Sequence, residues 1–151
     1  MENVLIREGT LQDIEEILQL DRQWDQEDIA YEFIDVSREE FIADLERFRP
    51  YFLVATSNEG LVGYINGSVR RSQGLAVISE QEPYLEIENI YVRPEFRNRH
   101  IGGELMERLL EIATQNGIQR FLVATVSKDM ERVLNFYRRY GFKPWYVQLV
   151  K

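Results

Sequence analysis

The segment Val92-Arg93-Pro94-Glu95-Phe96-Arg97-Asn98-Arg99-His100-Ile101-Gly102-Gly103-Glu104-Leu105 constrains the fold more than any other part of the chain. Upstream, Tyr84 to Val92 alternates well enough for a strand, and Arg93-Pro94 ends it. Downstream, Ile101, Leu105, Leu109 and Ile112 recur at helical spacing until Asn116-Gly117 closes the helix. A strand therefore passes into a helix through one short loop. The start of a helix offers backbone N–H groups without acceptors and the positive end of the helix dipole. Such a site receives phosphate without any dedicated side chain. Gly102 and Gly103 remove side chains where a pyrophosphate would press on the backbone, and Arg97 and Arg99 add mobile positive charge. A glycine pair before a helix also serves simple packing, and both readings stand on this element alone.

Other phosphate loops do not fit. No Gly-Lys-Ser/Thr is present. A dinucleotide fingerprint would open a βαβ unit and place an acid about twenty residues on. Here the loop lies two-thirds along the chain, behind a run of antiparallel-looking strands.

The remaining pattern yields the order β α α β β β α β α β, a mixed α/β or α+β layer around one sheet. Val4-Leu5-Ile6 begins it, and Thr10 with Asp13 caps a helix whose Ile14, Ile17, Leu18 and Leu20 share a face. Trp24 to Asp35 reads as weakly helical or loop. Ser37 caps a second helix with Phe41, Leu45 and Phe48 inward, and Pro50 stops it. Tyr51–Ala55 and Leu61–Val69 pair across Asn58-Glu59-Gly60, and Leu75–Ile78 could extend a hairpin. Arg120–Val126 is a strand, Asp129–Tyr140 a helix ended by Gly141, and Trp145–Val150 a last strand.

The 151 residues make one domain, 1–151, with 44% hydrophobic and 29% charged residues and no membrane-length apolar run. Met1-Glu2-Asn3 lacks the basic start of a secretory signal, so a cytoplasmic protein is expected. Absence of cysteine removes disulfides, thiolate metal sites and a cysteine nucleophile, and one histidine, His100, cannot build a histidine metal cluster. No metal is expected. The net charge of −8 argues against nucleic acid, but it is uneven. Residues 1–46 hold 3 basic and 15 acidic residues, and 47–151 hold 15 basic and 11 acidic. That split suits a cationic partner for the first third and an anion for the rest; an acidic surface that aids solubility gives the same numbers.

The loop segment resembles the signature of the GNAT superfamily, the acyl-CoA-dependent N-acyltransferases: a strand ending in Val-x-Pro, then Arg/Gln-x-x-Gly-x-Gly/Ala opening a helix. Val92, Pro94, Arg97 and Gly102 match, and His100 stands where the first glycine is usual. The family's Asn-x-x-Ala-x-x-Phe-Tyr-x-x-x-Gly-Phe is matched downstream by Phe136-Tyr137 and Gly141-Phe142, with Met130 and Val133 replacing the Asn and Ala. The specific match covers about residues 84–143, with the motifs in register. The resemblance implies a three-layer sandwich, with a central mixed sheet of six to seven strands and four helices. It implies acetyl-CoA in a cleft where two parallel strands, here Tyr84–Val92 and Phe121–Val126, splay apart. The backbone of Ile90, Tyr91 and Val92 would hold the pantetheine. The N–H groups from Arg97 through Asn98, Arg99, His100, Ile101 and Gly102 to Gly103 would hold the pyrophosphate. Ser127 would assist.

The reaction implied is direct transfer of an acetyl group from thioester to amine within a ternary complex. A free alkylamine has a pKa near ~10.4, so a base must take its proton. Glu88 and Glu86, which alternate on one strand face unless a bulge resets the register, are both candidates; they read equally as solvated acids. Tyr137 matches the family tyrosine that protonates the departing thiolate, while the same spacing suits a core aromatic. For the acceptor, residues 21–46 hold ten acids and two arginines, with Trp24, Tyr31 and Phe33 among them. Acids and aromatics suit a cationic amine, on a small molecule or a peptide. Trp145 and Tyr146 could line that pocket or a homodimer contact. The alternative function is a catalytically silent acyl-CoA sensor or interaction domain.

Overall fold

A computed structural model describes residues 3–27 and 36–151. Five strands form one sheet in the order β1-β2-β3-β4-β5: Leu5–Glu8, Phe52–Ser57, Gly60–Arg71, Pro83–Val92 and Phe121–Val123. The first four are antiparallel to their neighbours, and β5 runs parallel to β4. Among the described residues four α-helices accompany them: α1 Ile14–Glu27, α2 Arg38–Arg47, α3 Ile101–Gln115 and α4 Met130–Arg138.

The sheet is apolar on both faces, which makes three layers. On one face Ile14, Ile17 and Leu18 of α1 and Phe41 and Leu45 of α2 pack on Phe52, Val54 and Tyr64. On the other, Leu105, Met106 and Leu109 of α3 and Tyr137 of α4 pack on Leu53, Ile65, Leu85 and Ile87. The expected caps form. The Thr10 N–H donates to Asp13 Oδ2 at 2.8 Å, and Arg7 grips the same carboxylate with two bonds of 2.8 Å. That pairing holds the Asp13 carboxyl below its ordinary pKa. Ser37 and Glu40 exchange reciprocal cap bonds of 2.7 and 3.2 Å. Gly117 and Gly141 take φ of 83° and 86° where α3 and α4 end.

Three expectations are corrected. The sheet has five strands among the described residues, not six to seven. Trp145–Val150 forms none of them, because β propensity is expressed only against a paired neighbour and the segment has none among the described residues. Leu75–Ile78 does not extend the hairpin: β3 stops at Arg71, and buried Ser72 closes the intervening loop by bonding Glu82, Gln81 and Ile78. The strand expected over 120–126 is reduced to Phe121–Val123, and this shortening builds the site. Tyr31, Phe33 and the acids of 28–35 lie outside the described residues.

Candidate active site

The site begins with an edge that loses its partner. β4 pairs β5 only at Leu85–Phe121, Glu86–Leu122 and Ile87–Val123. Beyond Ile87, β5 leaves the sheet, and the β4 backbone from Glu88 to Val92 stays open on that side. Opposite this point β4 carries one extra residue: Gly67 pairs Ile87 while the preceding Asn66 pairs Asn89. Glu88 is the residue so bulged out. Gly67 permits the close approach, since a Cβ there would stand 2.8 Å from the Glu86 carbonyl oxygen.

The bulge resets the alternation. Leu85 and Ile87 face α3, and so do Ile90 and Val92. Tyr91 faces α1, as do Glu86 and Glu88, whose carboxylates both reach Arg70 at 3.1 and 2.9 Å. Asn89 joins that face through its Nδ2–H to Asn66 Oδ1 at 3.0 Å. Two residues that a regular strand would put on opposite faces, Glu88 and Asn89, thus share one, and both line a cleft of about 920 Å³.

The floor of the cleft is the start of α3. Its first helical bond runs from the Glu104 N–H to the His100 carbonyl at 2.9 Å, so the N–H groups of Ile101, Gly102 and Gly103 precede the ladder. His100 sits at φ 66°, and Asn98 at 59°. The left-handed backbone explains why glycine is usual at the His100 position. The imidazole folds along the helix: Nε2 stands 3.3 Å from Glu107 Oε1, the side chain is 61% exposed, and a Cβ on Gly103 would collide with the ring at 2.5 Å. The ring leans along α3 toward Glu107, and His100 is also among the residues that line the cleft. Gly103 is therefore required by its own neighbours, His100 and Tyr140, whereas a Cβ on Gly102 would meet nothing nearer than 3.5 Å.

Arg97 does not supply mobile charge. Its Nε donates to the Val92 carbonyl at 2.8 Å, its guanidinium pairs with Glu27 at the end of α1, and it lies 5.5 Å above the Tyr91 ring. Its own N–H donates to Pro94 at 3.2 Å, which withdraws it from the expected row of free donors. Arg99 lies over the Phe96 ring, outside the cleft lining. Ser127 is buried in the turn before α4, where its Oγ accepts from the Asp129 N–H at 3.0 Å. Glu86, too, is outside the lining.

Tyr137 reaches the cleft from α4. It is 7% exposed, lies edge-on to Phe136 and Phe142, and burial pushes its phenol up to about 12. A phenol that keeps its proton throughout the neutral range is equipped to donate it. On the opposite wall Asp21, Trp24 and Asp25 project from one face of α1, with Trp24 stacked on Tyr91 at 5.6 Å. Burial and the Glu27 carboxylate push the Tyr91 phenol upward, and its buried oxygen has no hydrogen-bond partner among the described residues. The sequence reading missed Arg132 of α4 and Arg139, which caps its C-terminal end; both line the cleft, and their spacing with Phe136 was the available signal. It also missed Asn66, fully buried beneath the cleft with Nδ2 unpartnered among the described residues.

A parallel pair that parts after Ile87 and a helix start beside the fork are the arrangement that the resemblance implied. The model of the acetyltransferase (GNAT) family matches residues 11–142. This chain belongs to the GNAT acetyltransferase family. As a GNAT acetyltransferase it is 25% identical over 151 aligned residues to a thialysine N-ε-acetyltransferase of Sus scrofa, covering 93% of this chain and 85% of that protein. In fold it is similar to an aminoglycoside N-acetyltransferase solved in complex with CoA (TM-score 0.75, 18% identity, 100% of this chain and 95% of that one). It is likewise similar to glucosamine-6-phosphate N-acetyltransferase of Arabidopsis thaliana (TM-score 0.72, 18% identity, 99% and 98%). Among the described residues of this GNAT protein, no helix is long and apolar enough to cross a membrane.

Proposed function

We propose that this GNAT acetyltransferase moves an acetyl group from acetyl-CoA to the primary amine of a cationic small molecule or peptide, directly in a ternary complex. The observation that carries the reading is the open β4 edge from Glu88 to Val92, which runs toward the free N–H groups of α3 in the same cleft as Tyr137. The residues present fit the coenzyme. The edge at Ile90–Val92 suits an amide-bearing arm laid down as an extra strand, and the helix start suits a diphosphate. Gly102, Gly103, Asn98, His100 and Ile101 surround that start, and Arg97, in the loop ahead of it, is held by Glu27 at the end of α1.

The acetyl thioester supplies the acyl carbon. Glu88 takes the proton that the amine must lose before its nitrogen forms the new C–N bond. Tyr137 returns a proton to sulfur as the C–S bond breaks. The bulge favours Glu88 over Glu86, because it alone of the two lines the cleft. Asp21, Asp25, Trp24 and Tyr91 provide charge and aromatic faces for a cation. The Sus scrofa relative is named for acetylation of the ε-nitrogen of thialysine, which agrees with such an acceptor. The cytoplasm is the compartment proposed.

The test is CoA release from acetyl-CoA with a panel of lysine-type amines, polyamines, aminoglycosides and peptides, beside thermal shift with acetyl-CoA, ATP and NAD. Turnover with at least one amine and selective stabilisation by acetyl-CoA are expected. Ligand at 100 times its dissociation constant adds about 2.7 kcal/mol. Stabilisation without turnover by any amine would establish the silent sensor instead.

A further inference from the structure

Glu88 faces two cavities. Besides the cleft it lines a second one of about 400 Å³, and it is the residue that the two linings share. Ser68 and Arg70 of β3 line the second cavity and not the cleft. Their places follow from strand register. Ser68 stands opposite Glu86, so the two share a face of the sheet, and Arg70, two residues on, shares it as well. Glu88, two residues after Glu86, falls within reach of both.

The bonds form one connected unit. The Ser68 hydroxyl donates to Glu88 Oε1 at 2.7 Å, and Arg70 Nη2 donates to the same oxygen at 2.9 Å. Arg70 Nε donates to Ser68 Oγ at 3.2 Å and stands 3.1 Å from Glu86 Oε2. A guanidinium has no acceptor, so the serine oxygen receives from Arg70 and its single proton goes to Glu88. Both bonds end on Oε1, which leaves Oε2 without a hydrogen bond among the described residues. Charge acts in the same sense. Burial holds the Asp44 carboxyl of α2 above its ordinary pKa, and the charge of Glu88 adds to that. The Arg70 cation offsets the repulsion that Asp44 and Glu86 exert on Glu88.

We propose that Ser68 and Arg70 are positioning residues for acetyl transfer: from the second cavity they pin Glu88 by Oε1 and so aim Oε2 at the amine. The proposal rests on the reading of Glu88 as the base. Proton abstraction needs the accepting oxygen within hydrogen-bond reach of the amine, and a displacement of about 1 Å can cost about 10²-fold in rate. Ser68 sets the direction of the carboxylate. The Arg70 fork ties Ser68, Glu86 and Glu88 together, a task that needs a planar donor set and not merely a positive charge. Neither residue lines the cleft, so both act on turnover and leave the binding of coenzyme and amine alone. Glu86 serves as an acceptor for Arg70, which an amide oxygen at that position would replace.

The test is a pair of double-mutant cycles on the full chain, with an amine that the parent turns over. Ser68→Ala and Arg70→Gln are each expected to lower kcat about tenfold, with the amine KM and the acetyl-CoA dissociation constant within about twofold of the parent. Placed in a Glu88→Gln chain, the same substitutions are expected to cost less than about twofold more, because residues that act through one group are not additive. Ser68→Thr, which keeps the hydroxyl, is expected to retain kcat within about twofold. Equal losses in the parent and Glu88→Gln chains overturn the proposal, since they mean that Ser68 and Arg70 support the fold rather than Glu88. Full activity of both single variants overturns it too, as does a Ser68→Thr chain no better than Ser68→Ala. A Glu88→Gln chain as fast as the parent removes Glu88 as the base, and a parent that turns over no amine removes acetyl transfer; either result takes the proposal with it.

Discussion

The two walls of the cleft are made differently. The wall formed by the open β4 edge and the start of α3 is built from backbone: unpaired strand groups and N–H donors within residues 88–103. The opposite wall is built from side chains brought from distant parts of the chain, with Asp21, Trp24 and Asp25 of α1 set against Glu88, Asn89 and Tyr91 of β4. A backbone wall tolerates changes of side chain so long as the main-chain path is kept. His100 illustrates this: it holds the left-handed turn where glycine is usual, with its ring directed along the helix. A side-chain wall has no such reserve, because each residue is its own contact. On the proposed reading, the backbone wall is the cofactor side and the side-chain wall the acceptor side, so the first can stay constant while the second sets specificity.

That contrast can be broken by substitution. The largest effect is expected where both walls meet the chemistry. Tyr137→Phe should lower kcat by about 10²-fold, the low end for general acid–base catalysis, while the acetyl-CoA dissociation constant measured by titration calorimetry stays within about twofold. Because the phenol is raised to about 12, it remains protonated through pH 10, and the parent rate should show no alkaline fall from this group below that pH. An unchanged kcat in Tyr137→Phe removes it from the mechanism.

Glu88→Gln should cost a comparable factor, about 10² in kcat/KM. Glu86→Gln, at a carboxylate outside the cleft lining, should retain most activity. The opposite ranking would show that the bulge does not select the base.

Gly102→Glu addresses the backbone wall alone. It places an anion at the helix start and should weaken acetyl-CoA binding about tenfold or more, with the amine KM unaffected. Trp24→Ala addresses the side-chain wall alone. The loss of one cation–π face, worth about 1 kcal/mol, should raise the KM of a cationic amine about fivefold and leave acetyl-CoA affinity unchanged. If either substitution moved both constants equally, the walls would not be separable.

The backbone wall was legible because glycine, proline and helix periodicity are local signals. Val92-Arg93-Pro94, Gly102-Gly103 and the Ile101/Leu105/Leu109 stripe lie within one continuous stretch. The role of Arg97 was not, because its guanidinium is committed by Glu27, 70 positions away. Nor was the choice between Glu86 and Glu88, which turns on a bulge created by how β3 registers against β4.

By itself, then, the sequence determined the element order through Arg138, the caps at Thr10 and Ser37, the strand-to-helix junction and the family, all of which rest on residues close together in the chain. Only the tertiary structure decided where β5 leaves the sheet, which glutamate faces the cleft, and that Trp145–Val150 pairs with no strand among the described residues. Those outcomes depend on pairing between segments far apart in the sequence, and the energy of a strand or an ion pair belongs to both of its halves.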